Sequence, residues 1–143
     1  SRDAYFCGTT STSYPDAEGN LTNYENKNII YRMVIDIDKL TADLVMYQAQ
    51  FAPQAPVLSA IVLKGLNVKL TRSGFDISGT NIVPEVVEGN STTPNPKYTF
   101  DSIQFHTASE DLSQATIRYT VGGRFSGSFT GAYLLLNAPN SQQ

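Results

Sequence analysis

Apolar side chains recur at every second position through most of this chain, which is the period of a β-strand with one buried face. The clearest run is 29–37, where every odd position is apolar and the even positions include Arg32 and Asp36. The same alternation marks 66–71 and 114–121. We therefore expect half-buried strands, each turning one face toward a core.

Shorter runs bounded by turn-forming residues complete the predicted set. Strands are expected at Tyr5–Thr12, Ile29–Ile37, Thr41–Phe51, Val57–Lys64, Leu66–Thr71, Phe75–Val83, Lys97–His106, Gln114–Val121 and Arg124–Leu136. Polar stretches at 9–28 and 88–97 are expected to be loops, and 137–143 a flexible tail. Residues 41–51 also fit a helical stripe, but a turn at 38–41 favours a strand that folds back as a hairpin.

Turns between strands, rather than helical crossovers, set the predicted architecture. Gly122-Gly123 can adopt the positive φ angles of a tight hairpin turn. Glycines 127 and 131 alternate with bulky rings, which indicates a tight bend or a close backbone approach. We predict an all-β fold, an antiparallel up-and-down barrel of about eight strands, with a β-sandwich as the alternative. One domain should span 1–143, with its core at 5–136.

Charge and rare residues exclude several functions. Ten basic and 13 acidic residues leave a net charge of −3, without the basic block that would bind nucleic acid or an anionic membrane. No run of about 18 apolar residues could form a transmembrane helix. One histidine and one cysteine are too few for a disulfide framework, a zinc site of His and Cys ligands or an ordinary histidine triad. We predict neither a cofactor nor a metal.

Two groups of polar residues are candidate sites. Asp36, Asp38 and Asp43 are the closest acidic residues, but a calcium loop would need a glycine and a distal glutamate, so a solvated strand face is preferred. The same carboxylates could serve a glycosidase, although nothing distinguishes their acidities. His106 is followed by Glu110 and Asp111, the minimal pairing of a base with a residue that orients it. These residues would carry catalysis if the protein were a hydrolase or isomerase.

Aromatic residues concentrate in the last three predicted strands. They are Phe100, Phe105, Tyr119, Phe125, Phe129 and Tyr133. Most of them should share the inner face, where rings fill a core and bury large areas. A barrel of about eight strands can also enclose one small ligand, so the same rings are our candidate lining of a ligand cavity.

The middle of the chain resembles a known family. The runs Tyr47–Pro56, Ile61–Val68 and Gly74–Gly79 are similar to the calycin-like (lipocalin-like) domain of small secreted proteins and lipoproteins of gut bacteria. Tyr5–Thr10 looks like the first strand of that family and Gly127–Gly131 like its last. The resemblance implies an eight-stranded barrel that is exported to the periplasm, the outer-membrane surface or the medium, and it brings no known substrate.

The polar start of the chain fits a form whose leader has been removed, and a lipid anchor upstream is compatible with the resemblance. The insert at 84–97 departs from the compact pattern of the family. We expect a monomeric, non-enzymatic binding protein that takes a small apolar ligand inside the barrel or a protein or glycan at its rim. The alternatives are the hydrolase or isomerase using His106, and a structural or assembly module whose strand edges pair with another chain.

Overall fold

The computed structural model describes residues 2–107 and 113–134 of the chain. Eleven strands occupy most of these residues. They are β1 (Arg2–Pro15), β2 (Leu21–Asn26), β3 (Ile30–Asp36), β4 (Thr41–Ala49), β5 (Leu58–Leu70), β6 (Phe75–Ile82), β7 (Glu85–Glu88), β8 (Ser91–Pro94), β9 (Phe100–Thr107), β10 (Gln114–Val121) and β11 (Phe125–Leu134). A short 3₁₀ helix at Pro96–Tyr98 is the one helical segment within the described ranges.

Eight of the strands close into a barrel. Neighbours around the ring are β1, β3, β4, β5, β6, β9, β10 and β11, and β11 pairs back onto β1. Every pairing is antiparallel, and the barrel strands follow one another in chain order. The predicted all-β up-and-down barrel is therefore confirmed, and the closed ring excludes the sandwich.

Two long strands change partners along their length. β1 pairs with β3 through 2–7 and with β2 through 10–15. β5 pairs with β6 through 67–70 and with β7 through 60–62. Because β1 and β5 run in opposite directions, β2 and the β7–β8 hairpin both extend the wall at the same end of the barrel. We call this end the mouth; its loops are 50–57, 95–99 and 122–124.

Most predicted strands are confirmed with small shifts at their ends, but three expectations are wrong. The stretch 9–28 is not one loop, because β1 continues to Pro15 and β2 follows. The stretch 88–97 holds β8 and the 3₁₀ helix. The two strands expected at 57–71 are one strand, β5, in which Gly65 has a φ of 72° and donates its N–H to the Asp43 carboxylate. The predicted tail lies outside the described residues.

Rings and small residues fill the barrel interior together. Among the fully buried side chains are Phe6, Tyr31, Phe100, Phe105 and Phe129. Glycines on β1 and β11 make room for them: a Cβ at Gly127 would collide with the Tyr119 ring, and one at Gly131 with the Phe129 ring and the Cys7 carbonyl. The close approach predicted for glycines 127 and 131 is confirmed.

Within the part of the chain that the structure describes, no helix is long and apolar enough to cross a membrane.

Candidate functional site

The six aromatic residues predicted to line a cavity occupy three different environments. Phe100, Phe105, Phe129 and Tyr119 are buried in the core. Their rings pack against other rings in edge-on or tilted geometry, with centroids 5.5 Å apart for Phe6 and Phe105 and 5.4 Å apart for Phe100 and Tyr119.

The other two predicted rings lie at opposite ends of the barrel. Tyr133 contacts the edge of Phe6 at the end away from the mouth and remains 42% exposed. Phe125 is half-buried at the mouth, where its ring centroid is 5.6 Å from those of Tyr14 and Phe51. Phe125 is therefore the one member of the predicted set that lines the cleft at the mouth.

A chain of hydroxyl groups crosses the core below the mouth. Tyr31 Oη lies 2.8 Å from Thr10 Oγ1 and 2.9 Å from Tyr119 Oη. Burial raises the pKa of Tyr31 to about 12, and it raises the pKa of Tyr119 well above its ordinary value. Both phenols are therefore uncharged over the physiological pH range. Each provides a hydrogen-bond partner for the other in the low-dielectric interior.

Three rings form the apolar wall of a cleft at the mouth. Phe51 stands 6.0 Å from Tyr98 and 5.6 Å from Phe125, measured between ring centroids. The cleft has a volume of about 330 Å³ and is lined by Phe51, Ala55, Pro56, Lys97, Tyr98, Gly122, Arg124 and Phe125. We call it the mouth cleft. It is built from the three mouth loops, so residues far apart in the sequence meet there.

Local hydrogen bonds hold the loop that carries Phe51. Gln50 donates from Nε2 to the carbonyls of Pro53 and Ala55, at 3.2 and 3.1 Å. Its Oε1 accepts from the Tyr24 hydroxyl at 3.0 Å. One amide thereby satisfies two loop carbonyls and ties the loop to β2, which places the neighbouring Phe51 ring over the barrel end.

The second and third loops are joined to each other. The Asn95 side chain accepts from Lys97 N–H at 3.0 Å and so caps the 3₁₀ helix. Gly122 donates its N–H to the Thr99 carbonyl at 2.8 Å, and both hairpin glycines have positive φ, as predicted for this turn. This junction sets Tyr98 beside the β10–β11 hairpin.

Two cations flank the rings of the mouth cleft. Lys97 Nζ lies 5.7 Å from the Tyr98 ring centroid, and the Arg124 guanidinium lies 5.4 Å from that of Phe125. Arg124 also donates to the Pro15 carbonyl at 2.9 Å, which fixes its position. None of the residues lining the cleft is acidic. The cleft lining therefore combines an apolar surface with two positive charges.

Another open groove, of about 400 Å³, lies on the outer wall. Its lining is mostly short hydroxyl side chains of β1, β9, β10 and β11, with Arg118 among them. It has no exposed aromatic wall, because Tyr119, which also borders it, is buried. We favour the mouth cleft because apolar walls with a few placed polar groups are typical of small-molecule sites.

His106 lies on the outer face of β9 and not in a cleft described here. Its Nδ1 is hydrogen-bonded to Asp76 Oδ1 on the adjacent strand β6, and both side chains are about half exposed. Thr116 is its neighbour on β10. Glu110 and Asp111, the expected partners, lie outside the described residues.

The aspartates near β3 and β4 bind backbone groups. Asp36 accepts from Lys39 N–H at 3.1 Å in the turn, and Asp43 accepts from Gly65 at the β5 irregularity. Among residues 2–107 and 113–134, no cluster of three or more His, Cys, Asp or Glu side chains could hold a metal.

Seven of the eight residues that line the mouth cleft were not predicted as site residues; those that supply its rings and charges are Phe51, Lys97, Tyr98 and Arg124. Phe51 was assigned to a strand, and Lys97 to the boundary between a loop and a strand. Only an indirect signal in the sequence points to these residues. Ala52-Pro53 marks a loop that follows Phe51, and Asn95-Pro96 marks a loop that precedes Tyr98.

Comparison of the chain with protein-family models, with curated proteins and with solved structures finds no match. The structure itself defines the class: a closed antiparallel barrel of eight strands with extra strands at one end, which is consistent with a calycin-like fold.

Proposed function

We propose that this domain is a binding protein that takes a small amphipathic ligand at the barrel mouth. The observation that carries the proposal is the contrast in burial between the mouth rings and the core rings. Phe100, Phe105 and Phe129 are at most 1% exposed and pack against the rings of Tyr119, Phe6 and Tyr31. Tyr98 and Phe125, by contrast, are only partly buried and border open space, and Phe51 supports them from below.

The chemistry of the mouth cleft specifies the ligand class. Tyr98 and Phe125 offer partly exposed rings backed by the buried Phe51, and Lys97 and Arg124 offer positive charge at the border. A guanidinium binds carboxylates and other oxyanions in a fixed geometry. The ligand that matches this arrangement is an apolar molecule that carries one acidic group.

Decanoate and decanol provide a matched pair of probes, because they share an apolar body and differ in the charge of the head group. We expect decanoate to bind more tightly in calorimetric titrations. Arg124→Gln should weaken decanoate binding about tenfold and leave decanol unchanged, since it removes a charge-assisted contact. Phe125→Ala should weaken both ligands because it removes apolar surface.

Controls at the other end of the barrel make this test specific. Tyr133→Ala removes an exposed ring and Arg72→Gln removes an exposed charge, both away from the mouth. Neither should change binding. If neither probe binds, or if the control variants weaken binding as much as the mouth variants do, the proposal fails.

Export is part of the proposal and rests on the resemblance of 47–56, 61–68 and 74–79 to secreted proteins and lipoproteins. Fractionation of the native cells, followed by detection with an antibody, should recover the protein from the envelope or the medium. Recovery from the cytosol alone would contradict export without affecting the mouth cleft.

A hydrolase or isomerase is the second candidate, favoured by the bond between His106 and Asp76. A carboxylate on Nδ1 orients an imidazole so that Nε2 can act as a base. Hydrolysis of a nitrophenyl ester that is lost in His106→Gln and weakened in Asp76→Asn would support it. Equal rates in these variants and the parent protein would exclude this role for that substrate class.

A further inference from the structure

Within residues 2–107 and 113–134, two buried side-chain atoms below the mouth have no hydrogen-bond partner. They are Oγ1 of Thr12 and Nδ2 of Asn26, and their residues are 0% and 3% exposed. An unpaired buried polar group costs roughly 1–3 kcal/mol. Such a cost is usually offset by a water molecule or by a ligand.

Both atoms belong to the barrel end that carries the mouth cleft. Thr12 on β1 lies between Tyr24 of β2 and Gly127 of β11 in the strand register. The Tyr119 ring fills the space that a side chain at position 127 would need. Its centroid is 6.5 Å from that of Phe51. Tyr24 in turn bonds to Gln50, the residue before Phe51.

Asn26 occupies the adjacent register position. It pairs with Thr10, so Asn26 and Thr12 are diagonal neighbours on the same face of two paired strands. Its Oδ1 already accepts from Asn28 N–H at 2.8 Å, which leaves Nδ2 as the available donor. Thr10 is satisfied through Tyr31 and does not compete.

We propose that Thr12 and Asn26 form a polar subsite at the inner end of the mouth site, and that it binds a hydroxyl or carbonyl oxygen of the ligand. The inference rests on the proposed function and narrows its ligand class. The acidic group stays outside with Lys97 and Arg124, the apolar body contacts the rings, and an uncharged oxygen at the far end reaches the subsite.

Several observations favour an uncharged oxygen at this position. Thr12 and Asn26 both carry donors, and their neighbours Thr10, Tyr31 and Tyr119 are neutral hydroxyl groups in the core. A carboxylate buried among these uncharged groups would be costly. Neither Thr12 nor Asn26 lines the mouth cleft, and Phe51 in its lining is 2% exposed. The ligand therefore reaches the subsite only if loop 50–57 moves the Phe51 ring aside.

The test compares decanoate with ω-hydroxydecanoate, which differs only by a terminal hydroxyl group. We expect the parent protein to bind the hydroxy acid about tenfold more tightly, because the hydroxyl would pair with groups that are otherwise unsatisfied. Thr12→Val should abolish this preference, and Thr12→Ser should retain it. Calorimetric titration measures both affinities.

Thr10→Val is the matched control, because Thr10 is an equally buried threonine two residues away whose hydroxyl already has a partner. It should lower stability and leave the preference unchanged. Thr12→Val, which removes an unpaired hydroxyl, should not lower stability in urea unfolding, so loss of the preference cannot be attributed to misfolding.

The outcomes separate the two proposals. If decanoate binds and depends on Arg124 but the parent protein shows no preference for the hydroxy acid, the subsite holds water only and this inference is wrong, while the proposed function stands. If neither acid binds, both proposals fail. A preference that persists in Thr12→Val would also overturn the subsite.

Discussion

The barrel interior and the barrel mouth are built from the same kinds of residue and differ in what surrounds them. In the interior, Phe105 and Phe129 face other rings and the backbone of glycines. At the mouth, the half-buried Phe125 ring stacks on the buried Phe51 ring and borders a cleft whose lining also carries two cations. Aromatic content alone therefore does not identify a binding site; the ring that lacks a neighbour on one side does.

The largest expected difference between the two regions is in stability. Phe105→Ala should lower the free energy of unfolding by about 4 kcal/mol, because it leaves a cavity in a fully packed core. Phe125→Ala should cost about 1–2 kcal/mol, since its ring is only partly buried. Urea unfolding of both variants measures the difference between these two losses in the free energy of unfolding. Equal losses would show that Phe125 at the mouth is packed as tightly as Phe105 in the interior.

The second effect is a loss of stability in alkali that originates in the interior. Tyr31 has a pKa of about 12 in the folded protein and near 10 when unfolded. Its contribution is thus fully present below pH 10 and is lost as the pH rises toward 12, a change of about 3 kcal/mol.

Unfolding followed from pH 8 to pH 12 should show this decline, and Tyr31→Phe should make it shallower. Tyr98→Phe is the mouth control and should leave the decline as in the parent protein. A profile that responds to Tyr98→Phe and not to Tyr31→Phe would contradict the assignment.

The smallest effect compares a glycine of each region. Gly131→Ala should cost about 2 kcal/mol, because a Cβ would enter the Phe129 ring and the Cys7 carbonyl. Gly123→Asn should cost under about 1 kcal/mol: its φ is 64°, which asparagine tolerates, and no atom lies within 4 Å of the added Cβ.

Thermal or urea unfolding distinguishes the two glycine substitutions. Ser128→Ala, on the exposed face of β11, serves as a neutral control. If Gly123→Asn is less stable than Gly131→Ala, the two positions do not differ as proposed. Lack of space in the core would then not explain why residue 131 is a glycine.

The barrel could be predicted because most of its strands, such as β3, β9 and β10, alternate between a buried and a more exposed face. β2 and β8 were missed because they carry mostly polar, exposed side chains, and their strand structure comes from backbone pairing with β1 and β7. In the sequence, Gly65 is typical of a break between two strands. In the structure, the Asp43 carboxylate accepts the Gly65 N–H and a single strand, β5, continues through this position.

The site was less accessible to sequence analysis because it joins three loops separated by dozens of residues. Only Phe125 was predicted. Likewise, Asp76 is separated from His106 by 30 residues and could be assigned as its neighbour only from the register of β6 and β9. Alternation specifies which face a residue occupies, but not which residue lies opposite.

The pairing of β1 with β11 also has a kinetic consequence. Nine residue pairs, from Tyr5 with Leu134 to Ser13 with Ser126, join the first strand of the chain to the last. Contacts so distant in sequence slow folding, because a long loop must close before they form. During synthesis the barrel stays open until β11 emerges, and the unpaired edges of β1 and β10 are exposed to other chains in the meantime.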